Sequence, residues 1–116
     1  MTQHASGPIT ADDPEFLRRS KRVGTTAYNV AWGPNEYNPT GTLADYEYTD
    51  RLQYLQMPTL VTSGTDDLCT PLVAKTMVDQ LPHATWTLFP RSRHMAFIDE
   101  TTAYMTRLRH WLAAHD

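Results

Sequence analysis

From Pro58 to Pro71 the chain reads Pro-Thr-Leu-Val-Thr-Ser-Gly-Thr-Asp-Asp-Leu-Cys-Thr-Pro, and this stretch limits the fold more than any other. Leu60 and Val61 follow a proline, which a strand tolerates at its beginning but not in its middle. Gly64 and the polar residues behind it end the strand. Thr70 is placed to cap a helix, and Pro71 suits the first helical position because no amide hydrogen is needed there. The expectation is a buried strand, a tight glycine turn bearing carboxylates, and a helix start. Groups just past a strand end face the crevice where open α/β sheets bind ligands, so Asp67 stands where an acid can work.

The residues that follow extend the pattern. A helix from Pro71 to Leu81 puts Leu72, Val73, Met77, Val78 and Leu81 near one face and stops at Pro82. Thr85 to Phe89 alternates as a strand, with Trp86 and Leu88 on one face. Asp99 is placed to cap a last helix, Glu100 to Ala114, along which Tyr104, Met105, Leu108, Trp111 and Leu112 form one apolar stripe. Strand, helix, strand, helix implies two parallel strands joined by a right-handed crossover. Parallel strands are normally flanked by neighbours and covered on both faces. Two of them leave open edges and an uncovered face. The fold class is therefore α/β, and the chain is expected to be the C-terminal part of something larger.

The upstream third is less regular. Residues 1–14 are polar, with Gly7, Pro8 and Pro14, and read as a loose arm or a loop held by other parts of a larger protein. Glu15 to Arg22 reads as a short helix whose basic run, Arg18-Arg19-Ser20-Lys21-Arg22, is better explained as a solvated face than as an anion site. Between residues 24 and 41, Tyr28, Trp32 and Tyr37 stand among Gly33, Pro34, Asn35, Asn38, Pro39 and Gly41. That density of turn formers argues against a long regular element. Aromatic residues on such a segment suit a lid or pocket wall, in which Glu36 receives a cationic group; equally they suit a surface loop anchored by Trp32. Thr49-Asp50-Arg51-Leu52 reads as a short helical turn.

Composition excludes several classes of function. The 116 residues are 41% hydrophobic and 20% charged, which is the balance of one globular domain with a core. A net charge of −3 gives no reason to expect a nucleic-acid partner. One cysteine, Cys69, excludes an internal disulfide framework and a cysteine-rich zinc site, and fits a reducing, cytoplasmic setting. No His-x-x-x-His spacing implies a metal, and no motif implies an organic cofactor. No apolar run is long enough to span a membrane, and the first residues hold no apolar segment of the kind a secretory signal needs.

The chemistry centres on Asp67 and His94. His94, in Ser92-Arg93-His94-Met95, follows the second strand as Asp67 follows the first. A carboxylate bonded to an imidazole fixes its tautomer and stabilises the imidazolium formed when the ring takes a proton. Acid first and histidine last, on successive strand ends, is the lower half of a Ser-His-Asp machine in the order used by α/β hydrolases. Asp66 is the competing acid and reads as surface or helix-start charge. His4, His83, His110 and His115 read as ordinary solvated residues, and Cys69, with no basic neighbour to activate it, as helix-start packing. The serines are Ser6, Ser20, Ser63 and Ser92, and none lies in the Gly-x-Ser-x-Gly context of a nucleophile elbow. A working machine of this kind needs a nucleophile from outside this chain.

From about residue 28 onward the chain resembles the proline iminopeptidases (prolyl aminopeptidases). The residues that carry the likeness are Trp32-Gly33-Pro34-Asn35-Glu36-Tyr37, Thr40-Gly41-Thr42-Leu43, Thr49-Asp50-Arg51-Leu52, Pro58 to Gly64, Thr70-Pro71 and Ser92-x-His94-Met95. The resemblance implies the C-terminal part of an α/β-hydrolase fold. Residues 1–48 would be the end of a helical cap with a loose arm, and 49–116 the last two parallel strand–helix units. It implies a serine aminopeptidase that releases N-terminal proline, with Asp67 as triad acid, His94 as general base, and Glu36, beside Trp32, on the substrate's free amino terminus. Leu68 departs from the pattern, because the family often has a second acid directly after the triad Asp. That leaves an esterase or amino-acid amidase of the same fold open, and a non-catalytic binding module is the alternative from another class. The expected partners are a peptide or small amide with a free N-terminus, and either the missing N-terminal part of the hydrolase or a homodimer mate.

Overall fold

Two strands pair in parallel at the centre of the chain: β1, Thr59–Gly64, and β2, Ala84–Phe89, in register from Thr59 opposite Ala84 to Gly64 opposite Phe89. A computed structural model describes residues 10–18 and 24–116. The remaining elements are α1, Glu15–Arg18; α2, Thr25–Ala31; a 3-10 helix, Thr49–Tyr54; α3, Pro71–Gln80; α4, Ala96–Asp99; and α5, Thr101–Ala114. From β1 onward the order is strand, helix, strand, helices, as expected of an α/β chain. The described residues form two compact units, one of Asp12–Tyr48 and one containing Thr49–Asp116.

In the unit from Thr49, the core is small. Val61 on β1, Phe89 on β2, Ala74 in the first turn of α3, Leu81 just past its end, and Ala96 on α4 are buried. Helix α5 is fastened to β2 at two points. Arg107 Nε donates to Thr87 Oγ1 at 2.8 Å, and the Tyr104 ring lies 5.5 Å from that of Phe89. Across the pair, the Trp86 indole N–H donates to Ser63 Oγ at 2.9 Å, which satisfies both polar groups on a part-buried sheet face.

Four expectations need correction here. The face read along α3 is not buried: Leu72 is 73% exposed and Val73 54%, because two strands and their helices offer too little surface to cover it. The stripe on α5 is likewise no more than half-buried. Thr70 does occupy the N-cap of α3, with Pro71 behind it, but its hydroxyl makes no capping bond. Asp99 does not cap the last helix. It closes the short α4, Glu100 takes the cap position without a side-chain capping bond, and α5 starts at Thr101.

In the unit from Asp12, α1 ends at Arg18, and the rest of the expected helix and basic run (residues 19–22) lies outside the described residues. Seven residues of helix, α2, precede the turn formers in a segment expected to be irregular. The chain then turns at Gly33, whose φ of 82° is the left-handed conformation that favours glycine. Residues 40–43 come back to the end of α2 through three amide bonds, Thr40 to Trp32, Thr42 to Val30 and Leu43 to Ala31, each 2.9 Å. Gly41 permits the close approach, since a Cβ there would collide with the carbonyls of Val30 and Ala31. Residues 33–39 are thus a closed loop on a helix end.

Candidate active site

Each strand ends in a turn, and the two turns are stitched together. The Thr65 amide donates to Phe89 O at 3.0 Å and the Asp66 amide to Ser92 O at 3.1 Å, extending the ladder of β1 and β2 past their last paired residues. Gly64 makes this possible: a Cβ would be driven into the backbone carbonyls of Ser92 and Arg93. Beyond the stitches, His94 Nδ1 lies 3.0 Å from Asp67 Oδ1 and 3.2 Å from Oδ2.

The partners differ in exposure. The Asp67 side chain is 7% exposed and the His94 side chain 57%. Asp67 Oδ1 also accepts the Cys69 amide at 2.9 Å, so the carboxylate is oriented by its own turn before it meets the imidazole. A carboxylate on Nδ1 selects the tautomer with the proton on that nitrogen, which makes Nε2 the acceptor. No described residue bonds Nε2, and the side chain as a whole is more than half exposed. Asp66, the competing acid, is exposed and contributes its amide rather than its carboxylate. The Cys69 thiol is pushed up, first by burial and then by the Asp67 charge, which disfavours the reactive thiolate.

The loop that carries His94 is held from behind. Ser92 is fully buried, and its hydroxyl donates to Glu100 Oε2 at 2.7 Å. The Arg91 amide donates to the same oxygen at 2.9 Å, and the Arg93 amide to Asp99 Oδ2 at 2.9 Å. The Ser92 hydroxyl and the Arg91 amide and guanidinium hold the Glu100 carboxyl below its ordinary value, against the opposing effect of burial. The sequence reading missed both acids as site residues. Of its four serines, Ser63 and Ser92 are spent on Trp86 and Glu100, while Ser6 and Ser20 lie outside the described residues.

Glu36 and Trp32 belong to the other unit. Trp32 is the half-buried C-cap residue of α2, and Glu36 is exposed on the closed loop. Asn35 Oδ1 shapes that loop by accepting the amides of Tyr37 and Asn38 at 3.0 and 2.9 Å. Tyr28, on α2, lies close enough to Glu36 for the carboxylate charge to act on its phenol. The Tyr28 phenol is pushed up by burial first and by the Glu36 charge second, so it stays a hydrogen-bond donor. Among the described residues no group of three or more His, Cys, Asp or Glu side chains is gathered to hold a metal ion. No helix among them is long and apolar enough to cross a membrane.

No family model matches the chain. Over all 116 residues it is 99% identical to a protein of Lactiplantibacillus plantarum named proline iminopeptidase, and 76% identical to one of the same name from Levilactobacillus brevis. The chain spans 40% and 39% of their lengths. Among solved structures it is similar to proline iminopeptidase from Mycobacterium smegmatis, with a TM-score of 0.72 at 31% identity, covering 78% of this chain and 30% of that one. Its solved neighbours are α/β hydrolases. The resemblance read from the sequence is thus to the same proteins that match along its whole length.

Proposed function

We propose that this chain supplies the acid, the base and part of the amine-binding surface of a serine aminopeptidase that releases N-terminal proline. The pairing of Asp67 with His94 Nδ1 at 3.0 Å carries the reading, because it leaves Nε2 as the proton acceptor of a side chain more than half exposed. The nucleophile is a serine in the stretch of the longer relatives that this chain does not span. As that hydroxyl attacks the carbonyl of the N-terminal residue, Nε2 takes its proton, and Asp67 stabilises the imidazolium. The imidazolium then gives the proton to the departing amine of the next residue, the acyl–serine bond remains, and water cleaves it by the same proton path in reverse. Glu36 pairs with the substrate's protonated amino terminus, a charge-assisted bond that favours a free N-terminus over a blocked one.

Leu68, half exposed beside Asp67, supports a second reading. An apolar side chain where the family often has an acid removes one contact to a substrate amine, which favours an amide or ester whose amine matters less.

The test is hydrolysis of a proline anilide by the purified chain, alone and with the N-terminal part of one of its longer relatives supplied in trans. Activity only on mixing, lost in His94→Ala, is the expected result. Loss of turnover when the substrate amine is blocked selects the aminopeptidase; retention selects the amidase or esterase. Inactivity of the mixture, with both parts folded, overturns the catalytic reading in favour of a binding module.

A further inference from the structure

We propose that Glu100 is a positioning residue for His94: through Ser92 and the Arg91 amide it fixes the loop that holds the imidazole against Asp67. The inference rests on the catalytic reading only for its consequence; its geometry stands alone. Glu100 is buried, with its side chain 4% exposed, and it pairs at 3.4 Å with the guanidinium of Arg91, whose own side chain is 81% exposed. A buried carboxylate is costly unless hydrogen bonds stabilise it, and an exposed cation adds little. Those bonds come from one place. Ser92 Oγ at 2.7 Å and Arg91 N at 2.9 Å both converge on Oε2, so the carboxylate is dedicated to the turn between β2 and His94.

The same turn faces the acid. Ser92 O accepts the Asp66 amide at 3.1 Å, one residue before Asp67, and the Ser92 backbone lies directly over Gly64. Glu100 therefore grips Ser92 from the α5 side while the acid turn grips it from the β1 side. Two residues further on, His94 meets Asp67. A loop held on both sides by the residue two before the imidazole leaves the ring little freedom to leave Asp67. Asp99 adds a weaker, exposed bond to the Arg93 amide. No atom of Glu100 needs to touch substrate for this role.

The test reads the tautomer of His94 directly. Ring-nitrogen shifts of the 116-residue chain, labelled with nitrogen-15, are recorded at alkaline pH, where the imidazole is neutral. A free imidazole favours the proton on Nε2; pairing with Asp67 favours Nδ1. The wild-type chain shows the Nδ1–H form. In Glu100→Ala the ratio of Nδ1–H to Nε2–H falls about 3- to 10-fold, the equivalent of one ordinary hydrogen bond. Glu100→Gln restores it, because the amide oxygen accepts both the Ser92 hydroxyl and the Arg91 amide. If Glu100→Ala fails to give a dispersed spectrum, Ser92→Ala replaces it and lowers the ratio in the same direction. An unchanged ratio in a folded Glu100→Ala or Ser92→Ala chain overturns the inference. Absence of the Nδ1–H form in the wild type overturns the Asp67–His94 pairing itself, so the two failures are distinct. In the mixed enzyme of the preceding section, Glu100→Ala lowers kcat with KM held within about twofold, as expected for a group that orients the base and not the substrate.

Discussion

The two units hold their carboxylates in opposite ways. In the unit from Thr49, Asp67 is nearly buried, oriented by its own turn, and set against a histidine whose loop is gripped by further carboxylates. In the unit from Asp12, Glu36 is exposed on a loop, with the Tyr28 phenol near enough to feel its charge. The difference follows from what each acid is proposed to meet. A proton transfer needs heavy atoms placed within a few tenths of an ångström, and only groups at the ends of packed strands are fixed that well. A charge on an incoming ligand is recognised over a longer range and by a group that can adjust.

The sharpest way to break the contrast is to remove the fixed pair. Asp67→Asn and His94→Ala are each expected to lower kcat on a proline anilide about 10⁴-fold in the mixed enzyme, since the amide favours the wrong tautomer and the alanine removes the base. Thermal melts close to that of the parent chain would show that chemistry, not folding, was lost. Gly64→Ala attacks the scaffold instead. Its Cβ enters the space of the Ser92 and Arg93 carbonyls, and backbone cannot rotate aside as a side chain can. Overpacking of this kind costs about 1–3 kcal/mol, which lowers the melting temperature of a small domain by roughly 4–8 °C per kcal/mol. An unshifted melt would mean that the two turns are not joined as described.

How much of this was legible in the sequence depended on the kind of signal. Pro58, Gly64 and Pro71 punctuate the backbone by their own covalent geometry, and the strand, turn and helix start stand where they were read. The order of Asp67 and His94 on successive strand ends was legible for the same reason, because a parallel pair brings its strand ends together. Helix α2 was not, since the turn formers of residues 33–41 were read as colouring the whole segment, whereas they begin only after Ala31. The α3 and α5 stripes were visible as periodicity, but a pattern states which face is apolar and not whether anything covers it. Thr70 and Asp99 have the right chemistry for caps and make no capping bond, because the route of the preceding backbone decides where a short side chain can reach. Glu100 was invisible: its partners Arg91 and Ser92 are brought to it by the turn after β2 and the short α4, and no spacing rule describes that path.

Glu36→Gln tests the adjustable acid. It keeps shape but removes the charge, so the loss should fall on substrates with a free amine. A charge-assisted hydrogen bond is worth about 1.5–3 kcal/mol, which corresponds to roughly 10- to 150-fold in kcat/KM. An ester or amide without the amine should be hardly affected. Equal losses on both substrates would show that Glu36 shapes the loop instead of meeting the amine.

Tyr28→Phe probes the smallest difference between the units, the phenol beside Glu36. The variant keeps the aromatic ring on α2 and deletes the hydroxyl on which the Glu36 charge acts. The loss in kcat/KM for a free-amine substrate should be no more than about fivefold, the size expected of an exposed contact, and mostly through KM. The pH behaviour separates this electrostatic contact from simple packing. Burial and the Glu36 charge raise the Tyr28 pKa above its ordinary 10.0, so the phenol remains protonated through neutral pH and past the point where an exposed tyrosine ionises. The folded-state value is the higher one, so the stability linked to the protonated phenol is fully present below pH 10 and is lost as pH rises through the raised value. The parent and Tyr28→Phe chains should therefore differ by a constant amount in thermal stability from neutral pH to about pH 10, and the parent should lose stability relative to the variant above it. A difference that stays unchanged well above that range would show that the Glu36 charge does not act on the phenol.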